Sequence, residues 1–235
     1  WQCIYCEIPN LTRGKPEPID IHLLKKELYF WLEEIVHNNF LSKHTSPGTT
    51  FKDIAFSGNG EPTAAREFGE VTQVVVKAIN DYKLVDQLTV RVITNGSNMT
   101  NKSVQKGWAA IQSIRKEVWF KIDSVMDDEI KLINQINSSL GVTKNNIEAS
   151  LSVSPTIIQT CLIKMNGQLP SNKSINAYIA FLKHYEDRLS GIHLYSLARP
   201  SEQNISIEIE RLTESELDQI ADKIRVLNVP VFAYI

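Results

Sequence analysis

The sequence predicts an α/β fold built on a parallel sheet, and three observations predict it. Short runs rich in apolar and β-branched residues alternate with longer runs of helical period. Several of the short runs are apolar on both faces, as in strands covered by helices on one side and packed side chains on the other. The polar and glycine-rich signals stand at the C-terminal ends of these runs, where α/β folds carry their chemistry.

The elements follow in order. In residues 21–38, Leu24, Leu28, Trp31, Leu32 and Ile35 fall near one helical face. Pro18 and a capping Asp20 stand just upstream, which predicts a first helix. Residues 42–50 predict a loop. Residues 51–57 (FKDIAFS) predict a strand ending at Gly58, followed by a helix over 68–82. Residues 88–93 (LTVRVI) predict the next strand, ending at Thr94-Asn95-Gly96, with a helix over 102–114. Residues 118–122 (VWFKI) end at Asp123 and lead into a helix over 126–136. Residues 156–163 (TIIQTCLI) follow Pro155 as a strand, residues 167–173 form a loop, and a helix covers 175–189. Residues 192–197 (IHLYSL) stop before Arg199-Pro200. Thr213 and Glu216 have the spacing of a capping box opening a helix over 214–227. Residues 229–234 (VPVFAY) make a weaker strand, because Pro230 suits only an edge or a strand start.

Strand–helix alternation of this kind calls for right-handed crossovers. Periodicity alone leaves an open doubly wound sheet and a barrel or partial barrel as equals. No repeat, low-complexity linker or domain break interrupts the 235 residues, so one domain over 1–235 is expected. The hydrophobic fraction of 43% suits a sizeable core. No apolar run reaches the roughly 18 residues of a membrane span, so no membrane partner is expected. A net charge of −2 gives no bulk nucleic-acid footprint. Three cysteines, Cys3, Cys6 and Cys161, make no disulfide framework and fit a reducing, cytoplasmic compartment.

Two segments carry chemistry. Cys3-Ile4-Tyr5-Cys6 is a Cys-x-x-Cys with three readings. A zinc site needs a second cysteine or histidine pair, and none follows at ligand spacing. A thioredoxin-like redox pair needs a helix directly after it, whereas Pro9, Gly14, Pro16 and Pro18 predict a loop. The third reading is two thiolates of an iron–sulfur site. The second segment, Ser57-Gly58-Asn59-Gly60-Glu61-Pro62-Thr63, ends a strand and opens a helix. A plain βα turn accounts for its glycines and proline. It accounts less well for Glu61 between Gly60 and Pro62, where a carboxylate and open carbonyls suit an ammonium group.

Together these segments resemble the radical S-adenosylmethionine (SAM) enzymes. That family carries Cys-x-x-x-Cys-x-x-Cys with an aromatic residue before the last cysteine, then a Gly-Gly-Glu-Pro-like segment after the second strand. Here the match is Cys3, Tyr5 and Cys6, then Gly58, Gly60, Glu61 and Pro62; Thr94-Asn95-Gly96 is also frequent in the family. The wider run SGNGEPT, ITNGSN, FKIDS, IIQTCLI and YSLARPS resembles a branch related to wyosine-type tRNA-modifying enzymes, and the likeness extends from Cys3 to about Pro200. The resemblance implies a partial (β/α)6 TIM-like barrel of parallel strands. It places the motif's first cysteine four residues before Cys3, upstream of Trp1, and the first strand with it.

The resemblance further implies a [4Fe–4S] cluster on Cys3, Cys6 and that third cysteine, and SAM chelating its open iron. One-electron reduction then yields a 5′-deoxyadenosyl radical that abstracts hydrogen from a substrate the sequence does not identify. Gly58, Gly60, Glu61 and Pro62 would meet the methionine amine. Tyr5 would lie by the adenine, and Thr94, Asn95, Lys121 and Asp123 nearer the ribose and carboxylate. An electron donor such as a flavodoxin or ferredoxin is implied. A tRNA substrate is an option that the near-neutral charge disfavours.

Several residues have plainer readings. Lys121 shares a strand face with Trp119 and Asp123, so a Lys121–Asp123 structural pair competes with ligand contact. Gln159, in mid-strand, points into the same interior or serves packing. Arg199 holds an anion or makes a surface salt bridge. Cys161 reads as a small hydrophobe buried in a strand. His22, His37, His44, His184 and His193 lack metal spacing. The competing function class is a non-catalytic α/β binding protein whose Cys-x-x-Cys holds zinc or no metal.

Overall fold

The computed structural model describes residues 1–9, 14, 16–58 and 60–235. In chain order its strands are β1 (Asp53–Phe56), β2 (Thr89–Thr94), β3 (Arg115–Lys121), β4 (Thr156–Cys161), β5 (Ile163–Met165), β6 (Gly191–Tyr195), β7 (Ile209–Arg211) and β8 (Val231–Tyr234). The helices are α1 (Ile21–Val36), α2 (Phe40–His44), α3 (Phe68–Asp81), α4 (Lys102–Ala109), α5 (Asp127–Ile133), α6 (Leu140–Leu151), α7 (Asn172–Leu182) and α8 (Glu214–Ile224), with a 3₁₀ turn at Pro62–Ala64. Six strands form a parallel sheet in the order β1-β2-β3-β4-β6-β8, and β5 and β7 form an antiparallel pair. The architecture is α/β, consistent with a partial TIM-like barrel. All six runs expected as strands are the six strands of the main sheet.

The chain divides into two compact units, Lys15–Val118 and a second formed by Trp1–Gly14 with Trp119–Ile235. In the first, α3 buries Phe68, Val71, Val75, Ala78 and Ile79, and β2 alternates half-buried and buried residues, Val90 and Val92 pointing inward. Helices α3 and α4 meet backbone to backbone: a Cβ built on Gly107 lies 3.0 Å from the Cα of Gly69. Helix α1 is capped as expected, the Leu23 N–H donating to the Asp20 carboxylate at 3.0 Å. Its apolar face is narrower than its periodicity predicts. Only Leu32 is buried, and Trp31 is 48% exposed. The Trp31 ring packs edge-on against Phe30 and against Phe40 of α2 instead of entering a core.

In the second unit the sheet has two distinct faces. Ile158 and Thr160 of β4 and Ile192 and Leu194 of β6 are fully buried, while Gln159, His193 and Tyr195 are only half-buried. Register pairs Gln159 with His193 and Cys161 with Tyr195, so the polar residues line one face. His193 sits in an aromatic group with Trp119, Phe232 and Tyr234. The capping box at Thr213 and Glu216 is present with both reciprocal bonds.

Some boundaries differ from expectation. Residues 40–44 form α2 where a loop was expected to begin at 42. Helix α4 stops at Ala109, and β3 starts early, at Arg115. There the charged residues of neighbouring strands pair laterally, Arg91 donating to Asp53 and, at 2.9 Å, to Glu117. The run 156–163 breaks at Leu162, whose N–H makes the last ladder bond of β4 to the Tyr195 carbonyl; beyond it β5 leaves the main sheet and pairs with β7. Helix α7 begins early, with Ser171 accepting from the Ser174 N–H, and ends at Leu182. Helix α6 and strand β7 were not expected; α6 buries only Asn146, Ile147 and Ser150, too few to leave a clear apolar stripe.

Candidate cofactor site

Cys3–Cys6 closes as a tight turn, the Cys6 N–H donating to the Cys3 carbonyl at 3.0 Å. Its central residue Ile4 is 1% exposed and packs in a cluster with Cys161 and Ile163, with Tyr5 and Tyr195 at the edge. The backbone is tied on two sides. The Ile4 N–H donates to the Ile133 carbonyl (2.8 Å) and the Gln2 N–H to the Asn134 carbonyl (3.4 Å), both at the end of α5. From the stretch after β6, the Cys6 carbonyl accepts from the Glu202 N–H (3.0 Å), the Gln203 side-chain amide (3.1 Å) and the Ser201 hydroxyl (3.3 Å). Ser201 also donates to the Ile4 carbonyl (2.6 Å) and Gln203 to the Ile8 carbonyl (2.7 Å). Cys3 and Cys6 themselves remain partly accessible free thiols. Residues 7–9 form no helix, against a thioredoxin-like pair; the loop expected beyond them runs into residues 10–13 and 15, outside the described residues.

Beneath the turn lies a buried polar network. Asp123, 8% exposed, accepts at one oxygen from the Tyr5 hydroxyl (2.6 Å) and the Asn134 side-chain amide (2.7 Å), and at the other from the Cys161 N–H (3.0 Å). The same Asn134 nitrogen donates to the Cys3 sulfur at 3.3 Å. Lys121 donates to the Tyr195 hydroxyl at 2.5 Å and lies over the rings of Tyr5 and Tyr195, 5.1 and 5.2 Å from their centroids. The expected Lys121–Asp123 pair is therefore an interaction through space, with no salt bridge between them among the described residues.

The electrostatics follow from these neighbours. Burial, the largest single influence, would lower the Lys121 ammonium, but Asp123 together with Tyr195 and Cys161 outweighs it and the proton is held tightly. Burial and then Asp123 push the Tyr5 phenol and the Cys3 and Cys161 thiols up, while the Asn134 hydrogen bond pulls Cys3 the other way.

In the other unit, Glu61 latches two strand ends together. One carboxylate oxygen accepts from the Thr63 N–H (3.1 Å), the Thr63 hydroxyl and the Thr94 hydroxyl (2.5 Å); the other accepts from the Asn95 N–H (2.8 Å). Thr94 in turn accepts from the Gly96 N–H at 2.9 Å. Pro62 opens the 3₁₀ turn that Glu61 caps. Gly58 has φ +141°, a conformation L side chains rarely adopt, and nothing lies within 4 Å of a Cβ built there. Backbone geometry, not crowding, therefore demands glycine. Asn59 lies outside the described residues.

The structure thus brings Cys3, Tyr5, Cys6, Lys121 and Asp123 into one neighbourhood, and Glu61, Thr94 and Asn95 into another. Gln159 shares the sheet face of Cys161. Arg199 is a surface residue, 3.4 Å from Glu7. Three contributors were not expected from sequence: Asn134, Ser201 and Gln203. Asn134 and Gln203 are single polar residues outside any motif, and Ser201 only closes the YSLARPS run, where nothing marks it as a partner of the turn.

A cysteine-ligated cluster fits this chain in part. Two thiols on one rigid turn with open faces suit adjacent irons, and Cys161, buried in β4, is not a substitute for a third ligand. Among the described residues no group of three or more His, Cys, Asp and Glu side chains is placed to hold a metal. Among the described residues no helix is long and apolar enough to cross a membrane.

No family model matches the chain, and no curated protein matches it. Solved structures do. A domain of pyruvate-formate lyase-activating enzyme from Bacteroides vulgatus superposes with a TM-score of 0.56 at 13% identity, over 79% of this chain and 100% of that one. A radical SAM methyltransferase from Sphaerobacter thermophilus gives 0.55 at 14% identity, over 89% of this chain. The matched part is 57% of the methyltransferase chain. At these identities the likeness is one of fold, and the fold found in these two enzymes is the one this chain adopts.

Proposed function

We propose that the chain is the core domain, over 1–235, of a radical SAM enzyme, in which Cys3 and Cys6 are two of the three thiolate ligands of a [4Fe–4S] cluster. The observation that carries this reading is the Cys3–Cys6 turn: hydrogen bonds from two sides fix its backbone, its two central side chains are packed, and both cysteines stay partly accessible as free thiols, Cys3 with one N–H aimed at its sulfur. The fold shared with a radical SAM methyltransferase supports it. Bound there, the cluster and SAM supply one-electron cleavage of the sulfonium C–S bond and hence a 5′-deoxyadenosyl radical.

The chain's own residues do the rest. Ser201, Glu202 and Gln203 hold the turn in place. Tyr5 and Lys121 wall it with rings and a fixed positive charge suited to a carboxylate. The second oxygen of Glu61, which has one donor where the first has three, receives an ammonium group. Gly58, Gly60 and Pro62 keep that loop's backbone open, and Thr94, Asn95, Asp123 and Gln159 contact the remainder of SAM. A flavodoxin or ferredoxin is the proposed electron donor, the cytoplasm the proposed compartment, and the wyosine-type branch the proposed kinship.

Anaerobic reconstitution of the full-length protein with iron and sulfide tests this. The expected result is a thiolate-to-iron absorbance shoulder near about 400 nm and 5′-deoxyadenosine formed from SAM only with reductant. Cys6→Ala should lose both. A wild-type protein with neither signal refutes the reading, and zinc bound in their place supports the non-catalytic alternative.

A further inference from the structure

Asn134 belongs to no motif and is 2% exposed, yet it touches both the cysteine turn and the network beneath it. Its backbone is fixed twice. As the C-terminal cap of α5 its N–H donates to the Ile130 carbonyl at 2.9 Å, and its own carbonyl accepts from Gln2. The side-chain nitrogen carries two hydrogens, with acceptors on two sides: Asp123 at 2.7 Å and the Cys3 sulfur at 3.3 Å. Rotating the amide by 180° would set its oxygen against two acceptors, so one orientation is enforced.

We propose that Asn134 is a positioning residue that sets the electron affinity of a cluster held at Cys3, through its N–H···S contact; this rests on the cluster reading above. A one-electron reduction adds negative charge that the cluster and its thiolates share. An N–H aimed at one of those sulfurs stabilises the reduced form more than the oxidised form and raises the potential. The Asp123 carboxylate acts in the opposite sense, and the Asn134 amide stands between it and the sulfur. Asn134 therefore offsets a charge the turn needs for its anchoring.

The test is a potentiometric titration of the reconstituted protein, followed by its optical spectrum, with iron content measured in parallel. Asn134→Leu removes both donors at similar volume. It should keep its iron and show a more negative midpoint, the reduction equilibrium moving by about tenfold, ~59 mV for one electron. Asn134→Gln, which keeps the amide, should recover part of the shift. If Asn134→Leu does not fold, Asn134→Ser replaces it, since a short hydroxyl cannot reach both acceptors, and the same shift is expected. A clustered variant with the wild-type midpoint overturns the role of Asn134 alone. A wild-type protein that takes up no cluster overturns the cluster reading, and this inference with it.

Discussion

Replacing Asp123 with alanine removes the acceptor at the centre of the network under the cysteine turn. Three bonds go: from the Tyr5 hydroxyl, the Asn134 amide and the Cys161 N–H, at 2.6, 2.7 and 3.0 Å. Their donors do not fare alike. The Cys161 N–H sits in a residue 2% exposed and loses its acceptor, so it bears the cost of an unmade bond, about 1–3 kcal/mol. Asn134 is as deeply buried but keeps the Cys3 sulfur, which places it at the low end, and the Tyr5 hydroxyl, on a half-buried residue, falls between the two. The Lys121 ammonium also loses the charge that holds its proton. The sum is about 3–5 kcal/mol, a fifth or more of the roughly 5–15 kcal/mol that stabilises a typical domain. Urea unfolding of the metal-free protein should show a lower midpoint at unchanged slope, and melting should fall by roughly 6–20 °C. Asp123→Asn, which keeps one acceptor oxygen, should lose less. A loss below about 1 kcal/mol for Asp123→Ala would refute the claim that this carboxylate organises the turn.

Gln203→Ala should free the Ile8 carbonyl, remove one of three donors from the Cys6 carbonyl and cost about 1–2 kcal/mol, with faster amide exchange confined to the turn as the diagnostic readout. Thr94→Val removes the bond to Glu61 and the acceptor for the Gly96 N–H, both at a residue 1% exposed; a loss of about 1–3 kcal/mol by chemical denaturation is expected. Lys121 supplies a pH dependence. Its folded pKa lies above the unfolded one, so its contribution is complete below the unfolded value of about 10.4 and fades as pH rises beyond it. The stability gap between wild type and Lys121→Met should therefore be flat from about pH 7 to 9 and shrink above about 10.4; a gap that shrinks below pH 9 would contradict the assignment.

Much of this was legible in the sequence, for reasons that separate the successes from the failures. The six strands of the main sheet stand out because each is a short apolar run bounded by glycine, proline, asparagine or, at 118–122, by Asp123. The cysteine turn and the Glu61 segment stand out because their residue types are unusual at their spacing. Strands β5 and β7 do not, because three residues carry no period. The exposure of Trp31 was hidden because periodicity reports which residues share a face, not how much of that face finds a neighbour. Asn134, Ser201 and Gln203 act across sequence separations of 131, 197 and 197 residues, and a lone polar residue in a loop announces nothing about so distant a partner.

Those separations carry a consequence for how the protein comes into being. The turn that displays Cys3 and Cys6 is completed by residues from the far end of the chain, 201–203, and its buried Ile4 rests on Cys161 and Ile163. Contacts of such high order form late, after the entropy of closing a long loop has been met by the helices and strands between them. During synthesis both thiols are therefore made long before the residues that shape their turn. Until residues 201–203 emerge and dock, the cysteines sit on an unanchored segment, open to oxidation or to stray metal. Any metal loading of the kind proposed would thus be coupled to the completion of folding, and a protein truncated before Ser201 should keep both cysteines yet lack the geometry that presents them.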